Sequence, residues 1–316
     1  MNPPPQRALA ARLAGSLLVA AASLVGLGPP ARVAVVLTAG EATIALETTG
    51  PPPRVGLSRL QTWVTGAAAI VRGYYGTFPV PRVSIVITVR GAGAGVDGGR
   101  TFGGTSPRIE VEVGKLVSDE ALTDDWVLVH EMVHLALPEV DDEQNWLAEG
   151  IATYVEGVAR VQAGNLAADA LWQEYFSDMP RGLPGVGDRG LDHTHTWART
   201  YWGGALYCLV ADVRIHQQTA NRRGLSDALR AIRDAGGGMR EVWSVKRILD
   251  AGDAATGTTV LADLYRDMAE QPSAPDLARL FRDLGVEAVS GGVRLRDDAP
   301  LAAVRRAITA PPARRP

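Results

Sequence analysis

Two histidines four residues apart with a glutamate beside the first, His130-Glu131-Met132-Val133-His134, are the residues whose types and spacing can do metal chemistry. On a helix, positions i and i+4 lie one turn apart on the same face, so both imidazoles can reach a single ion at about 2.0–2.1 Å. Glu131 projects beside them, where a carboxylate can take a proton from water acidified by a metal and deliver it to a leaving amine. The chain has 5 histidines in 316 residues. Chance would place this pattern somewhere with a probability of roughly 0.3 per cent. The run from Trp126 to Leu137 is otherwise apolar and stops at Pro138, and Thr123 is a candidate N-cap, which predicts a helix over 124–137. Two imidazoles in so apolar a helix are costly to bury unless they hold a ligand or find hydrogen-bond partners.

A third donor is expected from the next helix, and Trp146-Leu147-Ala148-Glu149-Gly150-Ile151-Ala152-Thr153-Tyr154 supplies Glu149. Leu147, Ile151, Tyr154, Val155 and Val158 form its buried stripe, with Glu149 near the helix start among apolar neighbours. The helix dipole alone contributes less than about 1 kcal/mol there, so a cation is the expected partner. The donor set His130, His134 and Glu149 suits Zn2+. Other candidates carry less. Asp192-His193-Thr194-His195 reads as a polar loop near the mouth of the site, and His216 as a surface residue. Asp212 falls on the helical face of Tyr201, Ala205, Cys208 and Leu209, as a buried partner for an arginine or a group behind the metal ligands. Cys208, alone in the chain, reads as a buried spectator thiol.

His-Glu-x-x-His followed by Trp-Leu-x-Glu-Gly-x-Ala resembles the gluzincin metallopeptidases, which include thermolysin and the zinc aminopeptidases. The stretch Thr200-Tyr201-Trp202-Gly203-Gly204-Ala205-Leu206, continuing to Leu225-Ser226-Asp227-Ala228-Leu229, is similar to the helix after the metal site in the glycyl and alanyl aminopeptidase families. In those families a Tyr-x-Lys-Gly motif supplies the tyrosine that hydrogen-bonds the oxyanion, a role the resemblance assigns to Tyr201; a phenol donates to developing negative charge without competing for the metal. The likeness spans residues 100–235 and has three departures. The spacer between His134 and Glu149 is 14 residues, shorter than is usual there, so the connection Pro138–Gln144 must be tight. Gly203 stands where the motif has lysine. Gly98-Gly99-Arg100-Thr101-Phe102-Gly103-Gly104 lacks the acidic residue with which aminopeptidases bind a free amine.

The elements that must position these residues change character along the chain. Val33–Leu37 and Ala42–Glu47 read as strands joined through Ala39-Gly40, residues 57–77 as an amphipathic helix, and Val83–Val89 and Arg108–Val113 as strands on either side of a glycine-rich loop, 91–104. Strand 108–113 is expected to border the cleft as an edge to which a peptide can add. Helices are expected over 124–137, 145–158, 163–177, 198–217, 225–234, 239–250, 258–268 and 275–283, with almost no further strands. Strands first and helices afterwards predict an α+β architecture. With the motifs, that becomes a thermolysin-like zincin core: a small N-terminal mixed sheet in a lobe over 31–122, a helical catalytic lobe over 123–310, and a tail at 311–316.

Composition excludes some partners. The 32 basic and 35 acidic residues give a formal charge of −3 without a basic block, so nucleic acid is not expected. Arg7 and Arg12 precede an uncharged apolar run, 13–27, and then Gly28-Pro29-Pro30, the layout of a secretory signal. Residues 1–30 are therefore expected to act as a signal peptide or membrane anchor, giving a periplasmic or extracellular protein that touches the membrane only through 13–27 if uncleaved; with no cysteine at the end of the run, a lipoprotein anchor is not expected. The expected function is hydrolysis of peptide or protein substrates by a zinc metallopeptidase, with a metal-stabilised peptide-binding or regulatory module as the alternative. Retention of Glu131 favours the enzyme.

Overall fold

The computed structural model describes residues 32–311, so the leader over 1–30 and all of the tail but Pro311 lie outside the described residues. Strands β1 (Arg32–Ala39) and β2 (Ala42–Thr49) form the expected antiparallel hairpin. Helix α1 (Leu57–Tyr75) follows, then β3 (Arg82–Arg90), β4 (Val96–Phe102) and β5 (Arg108–Gly114). They make one mixed sheet in the order β1-β2-β3-β5-β4, with β2, β3 and β5 mutually parallel and β1 and β4 antiparallel to their neighbours. Register keeps the apolar side chains in rows: Leu46 opposite Ile85, Ile85 opposite Ile109, and Ile87 opposite Val111. All of these are buried, so one face of the sheet is the floor of the core. Helix α1 packs beside β1, and α3 (Val127–His134) beside β4 and β5.

The topology corrects one expectation directly. Residues 91–104 are not simply a loop, because 96–102 form β4, and β4 rather than β5 is the edge strand. Strand β5 is hydrogen-bonded on both sides and cannot accept an added peptide.

The remainder is helical: α2 (Asp119–Thr123) and α3, then α4 (Asn145–Gln162), α5 (Ala168–Asp178), α6 (Gly204–Gln218), α7 (Leu225–Asp234), α8 (Val245–Thr256), α9 (Val260–Met268), α10 (Leu277–Leu284) and α11 (Ala302–Thr309). A small hairpin, β6 (Val286–Val289) and β7 (Gly292–Leu295), and α11 were not expected from sequence; the helix expected at 239–250 begins instead at Val245. Among the described residues no helix is long and apolar enough to cross a membrane.

Candidate metal centre

Helix α3 is shorter than its apolar run suggests because of its caps. Thr123 ends α2, and the N-cap work on α3 falls to Asp125, whose Oδ1 and Oδ2 accept from Val127 N at 3.1 Å and Leu128 N at 3.0 Å. Burial pushes the Asp125 carboxyl up to about 6, against the opposing pull of those two backbone N–H groups and the Arg160 charge. At the other end Leu135, Ala136 and Leu137 turn their N–H groups to the carbonyls three residues back, tightening the chain before Pro138. A 3-10 turn, Asp142–Gln144, then leads straight into α4, which is how the short spacer is accommodated.

His130, His134 and Glu149 come together as expected, and among the described residues they are the group of three or more His, Cys, Asp or Glu side chains placed to share an ion, with one donor atom from each within 4.8 Å of the others. Glu149 Oε2 stands 3.2 Å from His130 Nε2 and 3.5 Å from His134 Nε2. Tetrahedral ligands at about 2.0–2.1 Å from one ion are separated by about 3.3–3.4 Å, close to the spacing of Glu149 Oε2 from each imidazole nitrogen. The donor set, two neutral-capable imidazoles and one carboxylate, suits zinc chemically. Within the cluster the charges answer one another. Burial would raise the Glu149 carboxyl, but hydrogen bonds from both histidines bring it well below the usual carboxylate range. Burial likewise disfavours the His134 imidazolium, yet the Glu149 carboxylate, with Glu131 beyond it, raises its pKa overall. His130 Nδ1 is buried with no hydrogen-bond partner among the described residues; besides the Nε2 contact with Glu149, the ring packs edge-on to Trp126 at 5.7 Å and stacks on Tyr201 at 6.2 Å.

These groups open on a cleft of about 850 Å³ between the outer edge of the sheet and the helices, lined among others by Gly98, Gly99, Arg100, Thr101, His130, Glu131, His134, Glu149 and Tyr201. Glu131 lies under β4. A Cβ on Gly99 would stand 2.6 Å from Glu131 Cγ, so only glycine lets the strand cross the carboxylate at that height. Tyr201 sits in a π-helical turn, Arg199–Gly203, that runs into α6. Burial and the nearby Glu149 and Glu131 carboxylates raise its phenol well above the ordinary value, which keeps the O–H proton in place as a donor.

The other candidates fall elsewhere. Asp192 is buried, accepting from Trp146 Nε1 at 2.6 Å and from the Tyr265 hydroxyl, so it anchors the start of α4 and is not a polar group at the mouth. His216 is buried rather than on the surface, with Nε2 3.4 Å from Asp212 Oδ1. Asp212 is buried as expected, but its hydrogen-bond partners are the Tyr154 hydroxyl at 2.8 Å and Leu225 N at 2.7 Å, not an arginine. Cys208 is a free, buried thiol whose pKa burial raises. Two groups near the site escaped sequence reasoning. Thr101 touches Glu131, which no local pattern announces. Asp125 did leave a signal, an N-cap residue immediately before the apolar run, that the nearby threonine masked.

No protein family and no curated protein matches the sequence. Solved structures match the fold. An aminopeptidase N family protein from Idiomarina loihiensis superposes with a TM-score of 0.63 at 15% identity, over 81% of this chain and 49% of that one. A two-domain M1 zinc metallopeptidase variant bound to L-tryptophan gives 0.52 at 17% identity, over 79% and 54%. The M1 zinc metallopeptidase from Deinococcus radiodurans gives 0.50 at 16%, over 79% and 54%. The chain thus has the α+β fold found in M1 peptidases, with a mixed N-terminal sheet and a helical C-terminal part, and spans about half the length of these structures.

Proposed function

We propose that this chain is the catalytic part of a gluzincin-type zinc metallopeptidase that hydrolyses peptide bonds. The observation that carries the reading is the convergence of His130 Nε2, His134 Nε2 and Glu149 Oε2 at ligand spacing, with Glu131 beside them in one cleft. Zinc held by those three residues would supply Lewis-acid polarisation of a carbonyl and acidification of water. The rest is done by the chain. Glu131 takes the proton of the attacking water as its oxygen bonds to the carbonyl carbon, and returns a proton to the amide nitrogen as the C–N bond breaks. Tyr201 donates its hydroxyl to the carbonyl oxygen as negative charge grows there.

A peptide substrate is best placed as an added strand along the outer edge of β4, where main-chain groups flank Glu131. The stretch Gly98–Gly104 carries no carboxylate, but Asp97, Glu139 and Asp142 line the same cleft, so free and blocked amino termini are compared in the test below. The arginine-then-apolar leader supports export, with residues 13–27 either removed or retained as an anchor.

The test is metal analysis of the purified protein together with cleavage of a peptide library that includes N-terminally blocked members. One zinc per chain and cleavage of blocked peptides support the reading. Peptide binding that is unchanged by Glu131→Gln, without any cleavage by the wild type, would favour a binding module instead.

A further inference from the structure

Strand β4 pairs with β5 so that Gly99 lies opposite Val111 and Thr101 opposite Ile109. Residues two apart on a strand share a face, and here that face is turned to α3. Gly99 presents no side chain to Glu131, which lets the strand come close; Thr101, the next residue on the same face, then reaches the carboxylate with its hydroxyl. Thr101 Oγ1 is 2.6 Å from Glu131 Oε2 and 2.9 Å from the main-chain oxygen of Glu131. A threonine hydroxyl has one proton, and an ionised carboxylate at 2.6 Å is the stronger of the two acceptors. Leu135 N turns to Met132 O at 3.3 Å, and Glu131 O is met from the strand. Oε1 of Glu131 makes no hydrogen bond among the described residues, and the carboxylate lines the cleft.

We propose that Thr101 is a positioning residue for the general base: from the edge strand its hydroxyl pins Oε2 of Glu131, so that Oε1 is the oxygen presented to the reacting water. The hydrogen bond restricts the glutamate side chain, and Gly99 lets the strand come close enough to make it. The base then stands in its reactive orientation before substrate arrives. The consequence couples binding to catalysis, because the strand along which we place the peptide is the same strand that orients the base. This proposal rests on the reading of Glu131 as general base.

The experiment uses the zinc-loaded full chain with Thr101→Val and Thr101→Ser. Valine keeps the β-branched shape that suits a strand and removes only the hydroxyl. Expected for Thr101→Val is a fall in kcat of about 10-fold to 100-fold, the order of loss when a reacting group is misplaced. KM and zinc content should be unchanged, and Thr101→Ser should recover most of kcat. A valine variant with full kcat, or one whose loss appears in KM or in zinc content, overturns the assignment. A second arm does not depend on turnover: urea midpoints for Thr101→Val, Glu131→Met and the double variant. The hydroxyl should matter less once the carboxylate is gone, so Thr101→Val should lower the midpoint by less in the Glu131→Met background than in the wild type. Equal losses in both backgrounds refute the contact. If the wild type cleaves no peptide while the midpoints are coupled, it is the peptidase reading that fails.

Discussion

The Cα of Gly150 stands where a side chain on Gly204 would have to go: a Cβ built on Gly204 would lie 2.6 Å from it. Helices α4 and α6 therefore meet backbone to backbone at this point. The contact sits one residue after Glu149 and three after Tyr201, so it fixes how the Glu149 carboxylate and the Tyr201 phenol meet. Gly204→Ala is expected to destabilise the protein by about 1–3 kcal/mol through overpacking, and to weaken zinc binding because α4 carries Glu149. Denaturation midpoints with and without zinc check this; an alanine variant with a wild-type midpoint and wild-type affinity would show that the helices have room to spare.

Metal removal should be felt by the fold. A ligand that binds only the native state stabilises it by about 2.7 kcal/mol at a hundred times its dissociation constant. Zinc added to chelator-treated protein should raise Tm, and His130→Ala or Glu149→Ala should abolish most of that rise. The affinity should also fall with acid. Against the opposing effect of burial, the Glu149 carboxylate raises the His134 pKa, so a proton must leave before the imidazole can serve as a donor. Calorimetry in two buffers of different ionisation enthalpy would reveal the released proton; a zinc response equal in the wild type and both variants would remove the site assignment.

Asp125 gives a pH dependence of definite sign. Its carboxyl is raised to about 6 in the folded protein by burial, against an ordinary value of about 3.9. Between pH 6 and 4 the folded state therefore takes up a proton that the unfolded chain does not, and this residue adds stability as pH falls through that window; above pH 6 its contribution is flat. Asp125→Asn should remove the slope. Relative to the variant, the wild type should gain on the order of 2 kcal/mol from pH 7 to 4.5. Urea titrations at several pH values would read the difference, and parallel stability curves would contradict the buried carboxylate.

What could be read in the sequence, and what could not, follows from the range of the forces involved. The proposed metal donors were legible because an i, i+4 pair and a carboxylate on the next helix are local patterns, and the structure brings all three together. The alternating strands of the sheet were legible for the same reason, with Ile109, Val111 and Val113 on the buried face. Strand β4 was not, because its glycines speak against a strand in isolation; at Gly99 they answer a contact with Glu131 that is distant in sequence. Without β4, the sequence leaves β5 as the apparent edge. His216 failed similarly: nothing nearby in sequence reports that Gly224 and α7 close over it and Asp212.

The last prediction separates base catalysis from oxyanion stabilisation. Glu131 is nearly isosteric with glutamine and is not a metal donor in this arrangement, so Glu131→Gln should keep zinc, fold and peptide binding. Turnover should fall by about 10²-fold to 10⁴-fold, as for loss of a general base. Tyr201→Phe keeps the ring that stacks on His130 and removes only the hydroxyl, a group held protonated by burial and the two carboxylates. The lost hydrogen bond forms mainly as charge grows on the carbonyl oxygen, so kcat should drop by about 10²-fold or more while KM stays the same. The two variants should also differ in their use of zinc-binding ligands. Because the phenol donates to an oxyanion, Tyr201→Phe should lose affinity for a phosphonate or hydroxamate that carries negative charge there, and keep affinity for a neutral peptide. Steady-state kinetics and inhibition constants on both variants make the comparison; a phenylalanine variant that loses KM and neutral-peptide binding instead would make Tyr201 a substrate-packing residue.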